Sequence, residues 1–86
     1  MAMKKNVLTL YHFDTCPFCA RVRDYLDQEG IDIKRVDILL DDGAREKLVQ
    51  IGGKSQVPCL VIDNKALYES GDILDWLQEH KDTLHD

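Results

Sequence analysis

The chain of 86 residues has room for one small core, and we expect residues 1–86 to form a single domain. Its hydrophobic content of 44% is ordinary, and no apolar run approaches the ~18 residues of a membrane span, so a membrane role is not expected. A formal net charge of −5, with acidic residues spread along the chain, leaves no basic face for a phosphate backbone and excludes nucleic acid as a partner.

The first part of the chain predicts a βαβ unit. Residues 7–11 form a short β-branched and aromatic run that predicts a buried strand. Residues 17–29 predict a helix with Gly30 as its C-terminal cap. The apolar face of this helix comprises Phe18, Val22, Tyr25 and Leu26. Residues 31–38 alternate loosely and follow a crossover long enough to make this strand parallel to the first.

A second helix is expected after the βαβ unit. Asp41 and Asp42 are short polar residues of the kind that cap a helix N-terminus, and residues 52–53 are two glycines that end it. Its apolar positions are Ala44, Leu48, Val49 and Ile51. The loop that follows spans residues 54–56.

The last part of the chain predicts a hairpin and a third helix. Strands at residues 58–62 and 66–68 flank the turn-forming residues 63–65, which favours antiparallel pairing. Ser70 is expected to cap the last helix. Its apolar face comprises Ile73, Leu74 and Leu77, bordered by Trp76. The predicted order of elements is therefore βαβαββα.

Cys16 and Cys19 are separated by two residues, directly after the first predicted strand. A structural zinc site needs four ligands and usually a second closely spaced pair, which this chain lacks, so we expect no metal. The remaining cysteine and histidine side chains are scattered, at His12, Cys59, His80 and His85. Inert burial leaves unexplained why both thiols stand at the start of a helix.

A reactive thiol pair accounts for this placement. If Cys16 is the N-cap and Pro17 the first helical residue, the unpaired amide groups and the positive end of the helix dipole favour a Cys16 thiolate. The thiolate is the nucleophile. Cys19 lies one turn on and deeper, so it can expel a group attached to Cys16. Arg21 and Arg23 add positive charge nearby, but on an exposed helix face we expect them to be solvated.

The compartment is expected to be the cytoplasm. Three cysteines are an odd number, far from the dense framework of a secreted mini-protein, which favours a reducing environment. Residues 1–6 are basic, but the apolar stretch after them is too short for a signal peptide and is broken by His12 and Asp14.

Three segments, in the same order, resemble one known family. The segment Cys16-Pro17-Phe18-Cys19 resembles the active site of dithiol glutaredoxins. The segments Gln56-Val57-Pro58 and Glu69-Ser70-Gly71-Asp72 resemble their cis-proline segment and their glutathione-binding loop, and also the N-terminal domain of glutathione transferases. The likeness spans roughly residues 7 to 79. It implies an α/β protein of the thioredoxin fold, with a four-stranded mixed sheet flanked by three helices.

The resemblance also implies that glutathione is the co-substrate. Cys16 would take up glutathione, while Val57 and the cis-proline Pro58 would pair with its cysteinyl group like an added strand. The start of the last helix at Ser70 would receive the γ-glutamyl carboxylate, and Glu69 would accept the ammonium group.

Further contacts with glutathione are less well defined by the sequence. Lys54 is the best candidate for the glycine carboxylate, with Arg45 behind it. Many glutaredoxins carry a lysine or arginine three residues before the first active-site cysteine, where this chain has Phe13. Cys59 follows the proline and is most simply a small buried hydrophobic residue.

The expected function is reduction of protein disulfides and glutathione mixed disulfides through the pair Cys16 and Cys19. The partners are then glutathione and disulfide-bonded or glutathionylated proteins, and we expect a monomer. Three alternatives stay open. They are a redoxin that takes electrons from a flavoprotein thioredoxin reductase, a protein that binds an iron-sulfur cluster through Cys16 and glutathione, and a non-catalytic adaptor.

Overall fold

Seven elements follow one another in the order βαβαββα within residues 7–84, the part of the chain that the computed structural model describes. Side chains are described for residues 7–80, so the segment 1–6 and His85 lie outside the described residues. The elements are β1 (Leu8–His12), α1 (Pro17–Gln28), β2 (Lys34–Asp37), α2 (Ala44–Gly52), β3 (Cys59–Ile62), β4 (Lys65–Tyr68) and α3 (Ser70–Leu84).

The four strands form one mixed sheet in the order β2-β1-β3-β4. β1 runs parallel to β2, with Tyr11 opposite Val36, and antiparallel to β3, with Tyr11 opposite Cys59. β3 pairs antiparallel with β4, where Cys59 lies opposite Tyr68. The α/β architecture expected from the sequence, a four-stranded mixed sheet with three helices, is therefore confirmed.

Two apolar cores lie on opposite faces of the sheet. Side chains of β1 alternate between them, so that Leu10 faces one core and Tyr11 the other. The core under α1 and α3 comprises Leu8, Leu10, Val22, Leu26, Ile31, Leu60, Ile73 and Leu77. The core under α2 comprises Tyr11, Val36, Ile38, Ala44, Leu48, Cys59 and Val61. β1 is therefore buried on both faces, through Leu8 and Leu10 on one face and Tyr11 on the other.

The two helices of the first core largely follow their sequence pattern. Gly30 has a φ of 67°, the left-handed conformation expected after the end of α1. Phe18 is 56% exposed, so its assignment to the apolar face of α1 is wrong. Ser70 is the first residue of α3, and the Ile73 N–H donates to the Glu69 carbonyl oxygen at 3.0 Å. Glu69 rather than Ser70 therefore occupies the N-cap position.

The prediction of an aspartate cap on α2 is wrong. The N-cap is Gly43, with a φ of 80° and no side-chain cap. Asp41 and Asp42 belong instead to a turn that precedes the helix, in which the Asp41 N–H donates to the Asp37 carbonyl oxygen. The Asp37 carboxylate accepts hydrogen bonds from the backbone N–H groups of Leu39 and Leu40, and these bonds fix the turn. Val49, expected to be apolar and inward-facing, is 42% exposed.

Two strand boundaries also differ from those expected. β2 begins at Lys34, where it meets Thr9 of β1, and not at residue 31. The turn of the hairpin has two residues, Asp63 and Asn64, both with positive φ, and Lys65 already belongs to β4. Positive φ at both central positions is typical of the tight hairpin turn whose twist matches the strands.

Candidate functional site

All the segments singled out from the sequence meet at one edge of the sheet. The parallel strands β1 and β2 end there, and β1 leads through residues 13–15 to Cys16. β3 begins at the same edge because it is antiparallel to β1, which places Pro58 next to the end of β1. β4 ends there as well, so Glu69 and Ser70 follow at this edge.

Cys16 is the N-cap of α1, with Pro17 as the first helical residue, as expected. Its φ of −75° and ψ of 119° are extended, and its Sγ accepts a hydrogen bond from the Cys19 N–H at 3.3 Å. This contact satisfies one of the amide groups that a helix leaves unpaired at its start. Cys16 is 5% exposed, whereas Cys19 and Cys59 are fully buried. Of the three cysteines, only Cys16 therefore keeps any exposure to solvent.

Cys19 lies beneath Cys16 and is held as a neutral thiol. Burial, and then a hydrogen bond to the Cys16 side chain, raise the pKa of Cys19 to about 12. A hydrogen bond from the Phe13 backbone and the charge of Arg23 act in the opposite direction. Both thiols are free, so the structure describes the reduced pair.

Arg23 is bound rather than solvated, which corrects the expectation from the sequence. Its Nη1 donates to the Phe13 carbonyl oxygen at 3.1 Å and lies 3.2 Å from His12 Nδ1, and its Nη2 donates to the Asp14 carbonyl oxygen at 3.0 Å. Burial and the charge of Arg23 lower the pKa of His12, so the ring accepts through Nδ1 as a neutral imidazole. Arg21 is exposed, as expected.

Val57 and Pro58 immediately precede β3, and the peptide bond between them is cis. Strand pairing on both sides begins only at Cys59, so the backbone of Val57 lies beyond the end of the β-ladder. Cys59 is buried, as expected, and burial raises its pKa to about 11, against hydrogen bonds from the Leu67 backbone and Tyr68.

Gln56 and Glu69 join two segments that are distant in sequence. Gln56 Nε2 donates to Glu69 Oε1 at 3.2 Å, which connects the cis-proline segment to the start of α3. Glu69 has a φ of 73°, a conformation that residues other than glycine rarely adopt. A non-glycine residue held in this region often marks a functional segment.

Lys54 is held by Tyr68, a contact that the sequence did not suggest. The Lys54 Nζ lies 4.6 Å from the centre of the Tyr68 ring, and the Tyr68 hydroxyl donates to the Lys54 carbonyl oxygen at 2.9 Å. Lys54 is exposed, so its ammonium group can still turn toward a ligand. Arg45 is exposed in the first turn of α2.

The candidate residues thus form two groups at one edge. The first contains Cys16, Cys19 and Arg23, and the second joins residues 54–56 to residues 68–69. Within the side chains described for residues 7–80, no hydrogen bond connects the two groups, and no cluster of three or more metal-binding side chains occurs. None of the helices in the described part of the chain is long and apolar enough to span a bilayer.

Known proteins are similar in sequence to this chain. The family model of the glutathione S-transferase, N-terminal domain, matches residues 10–83. A glutaredoxin-like 8.6 kDa protein of Clostridium pasteurianum is 30% identical over 61 residues, which cover 71% of this chain and 81% of that protein. A probable maleylacetoacetate isomerase of Caenorhabditis elegans is 32% identical over 79 residues, 92% of this chain, but the chain spans only 36% of the isomerase.

A solved structure supports the fold. The crystal structure of a buckwheat glutaredoxin-glutathione complex superimposes with a TM-score of 0.69 at 23% identity, covering 88% of this chain and 72% of that one. At this identity the likeness establishes the thioredoxin fold. Together with the family match and the sequence relatives, it identifies the chain: the protein belongs to the glutaredoxin family and carries the features of the glutathione S-transferase N-terminal domain.

Proposed function

We propose that the protein is a glutathione-dependent thiol-disulfide oxidoreductase that reduces protein disulfides and glutathione mixed disulfides. The observation that carries the proposal is the asymmetry of the cysteine pair. Cys16, at the N-terminus of α1, keeps 5% exposure and accepts a hydrogen bond through its sulfur, while Cys19 is fully buried beneath it as a neutral thiol. The less buried sulfur, at a helix N-terminus, is suited to attack, and a fully buried neighbour one turn away is suited to resolve.

In the dithiol route, the Cys16 thiolate attacks one sulfur of a substrate disulfide, and the other sulfur leaves as a thiolate and takes up a proton. Cys19 then loses its proton and attacks Cys16, which forms the Cys16–Cys19 disulfide and releases the second substrate thiol. Two glutathione molecules reduce this disulfide and become oxidised glutathione. In the monothiol route, Cys16 takes glutathione from a glutathionylated protein, and a second glutathione frees Cys16.

The second group of candidate residues is proposed to bind glutathione. The backbone of Val57, beyond the end of the β3 ladder, would form strand-like hydrogen bonds with the cysteinyl group next to Pro58. The start of α3 at Ser70 offers amide groups for the γ-glutamyl carboxylate, and Glu69 offers an acceptor for the ammonium group.

Lys54 is proposed to bind the glycine carboxylate of glutathione. Its ammonium group rests on the Tyr68 ring, and an exposed cation–π contact of this kind is worth only about 0.5 to 1 kcal/mol, so a carboxylate can compete for it. We further propose that the protein acts as a monomer in a reducing compartment, the cytoplasm, where glutathione is available.

The electron donor is tested by a coupled assay on bis(2-hydroxyethyl) disulfide. NADPH oxidation is followed with glutathione and glutathione reductase in one series and with thioredoxin reductase in the other. We expect turnover that depends on glutathione and saturates with it, and none with thioredoxin reductase alone. Turnover with thioredoxin reductase and none with glutathione would contradict the proposal.

A further inference from the structure

Arg23 stands one helical turn after Cys19 on the same side of α1, because side chains four residues apart in a helix lie one above the other. It is half-buried, and its guanidinium group donates to the carbonyl oxygens of Phe13 and Asp14 at 3.1 and 3.0 Å. These contacts fix a positive charge on the loop that leads from β1 to Cys16. Two hydrogen bonds to the backbone and a contact with the His12 ring distinguish Arg23 from a solvated surface arginine.

Phe13 connects this cation to the buried thiol. Its carbonyl oxygen accepts from Arg23, and its backbone acts on the Cys19 sulfur in the direction that lowers the pKa of Cys19. The charge of Arg23 acts on the same sulfur in the same direction. A half-buried charge is screened less by salt than an exposed one, so its influence on Cys19 persists in buffer.

We propose that Arg23 is a positioning residue for the resolving step, in which it holds a positive charge beside Cys19 and promotes the attack of Cys19 on the mixed disulfide at Cys16. This rests on the proposed function, since it requires Cys19 to resolve. Cys19 gives its proton to water, its sulfur bonds to the Cys16 sulfur, and the bond from Cys16 to the substrate sulfur breaks. The substrate sulfur leaves with the electron pair and takes up a proton.

No carboxylate is among the charged groups that act on the Cys19 sulfur in the described part of the chain. The ionisable groups that act on the Cys19 sulfur are Cys16 and Arg23. His12, which contacts Arg23, is neutral at neutral pH because burial and Arg23 lower its pKa. The other charged groups acting on His12 are Asp37 and Arg35 of β2 and Asp14. The contact of Arg23 with Asp14 is made to the backbone carbonyl and not to the carboxylate.

The reagent 5,5′-dithiobis(2-nitrobenzoate) separates the two attacks, because each attack releases one coloured thiolate. The reduced protein is mixed with one equivalent of reagent in a stopped-flow instrument between about pH 6 and pH 9, a range that spans the ionisation of ordinary thiols. The first phase reports attack by Cys16, and the second reports attack by Cys19. The Arg23→Gln variant removes the charge and keeps an amide donor, Arg23→Lys keeps the charge, and Arg21→Gln removes the same charge from an exposed site.

We expect Arg23→Gln to slow the second phase about three- to tenfold and to shift its pH profile upward, as loss of an opposite charge near an acid does. The first phase should match that of Arg21→Gln, and Arg23→Lys should restore the second phase. A second phase as fast in Arg23→Gln as in Arg21→Gln, equal slowing of both phases, or no restoration by Arg23→Lys would overturn the proposal.

The same experiment separates this proposal from the proposed function. A wild-type protein without a second phase would refute resolution by Cys19, and with it the role of Arg23. Two intact phases without turnover in the coupled assay would refute only the dependence on glutathione.

Discussion

Replacement of Cys16 by serine is expected to abolish the reduction of both protein disulfides and glutathione mixed disulfides. Every route begins with a bond to the Cys16 sulfur, and no second thiol can substitute because Cys19 and Cys59 are buried with raised pKa values. Activity in the coupled assay should fall to the uncatalysed rate, a loss of at least about 10³-fold. Insulin serves as the protein disulfide and a glutathionylated peptide as the mixed disulfide.

The matched variant Cys19→Ser separates the two routes. It removes the resolving thiol, so reduction of the protein disulfide should fail, while deglutathionylation should continue because a second glutathione frees Cys16. Equal loss of both activities in the two variants would show that the roles assigned to Cys16 and Cys19 are wrong.

Replacement of Gly52 by alanine is expected to lower the free energy of unfolding by about 2 kcal/mol. A Cβ atom at this last residue of α2 would overlap the Tyr68 hydroxyl and lie 2.7 Å from the Ala66 Cβ. To make room, Tyr68 must give up its hydrogen bond to the Lys54 carbonyl oxygen and its contact with Cys59. The gain in helix propensity from glycine to alanine, up to about 1 kcal/mol, is too small to compensate.

Urea denaturation measures this effect, and Gly71→Ala is its control. A Cβ at Gly71 would meet no atom within 4 Å, so this variant should keep the wild-type midpoint or raise it slightly. A Gly52→Ala variant as stable as Gly71→Ala would show that the packing of Tyr68 against α2 is not as close as described.

The order of elements and the place of the cysteine pair follow from local chemistry. A proline at the first helical position and a glycine after the last are signals read within a few residues, and they located Cys16 and Gly30 correctly. The β-branched and aromatic run at residues 7–11 likewise predicted a strand whose neighbours could be inferred from the crossover and the hairpin. These features do not depend on any contact distant in sequence.

The features that the sequence did not predict depend on contacts between distant segments. The hairpin turn has two residues and not three, and this difference sets the register: a three-residue turn would place Glu69 opposite Cys59 where the structure has Tyr68. The Tyr68 contacts with Lys54 and Cys59 could therefore not be foreseen. The spacing of four residues shows that Arg23 lies on the same side of α1 as Cys19. The helix pattern alone does not show which loop its guanidinium group contacts.

The start of α2 was predicted wrongly for a different reason, which is local. Asp41 and Asp42 have side chains that cap helices well, yet the preceding turn, fixed by Asp37, delays the helix until after Gly43. Capping propensity was outweighed here by a competing local hydrogen bond.

The central claim is that the α1 N-terminus makes the Cys16 sulfur the reactive one of three thiols. It is tested most directly by brief alkylation of the reduced protein with iodoacetamide at neutral pH, followed by mass spectrometry of the peptides. We expect modification at Cys16 alone, at a rate about tenfold or more above that of the same cysteine in the unfolded chain, with Cys19 and Cys59 unmodified. Modification of Cys19 or Cys59 as fast as Cys16, or a Cys16 no faster than in the unfolded chain, would contradict the account.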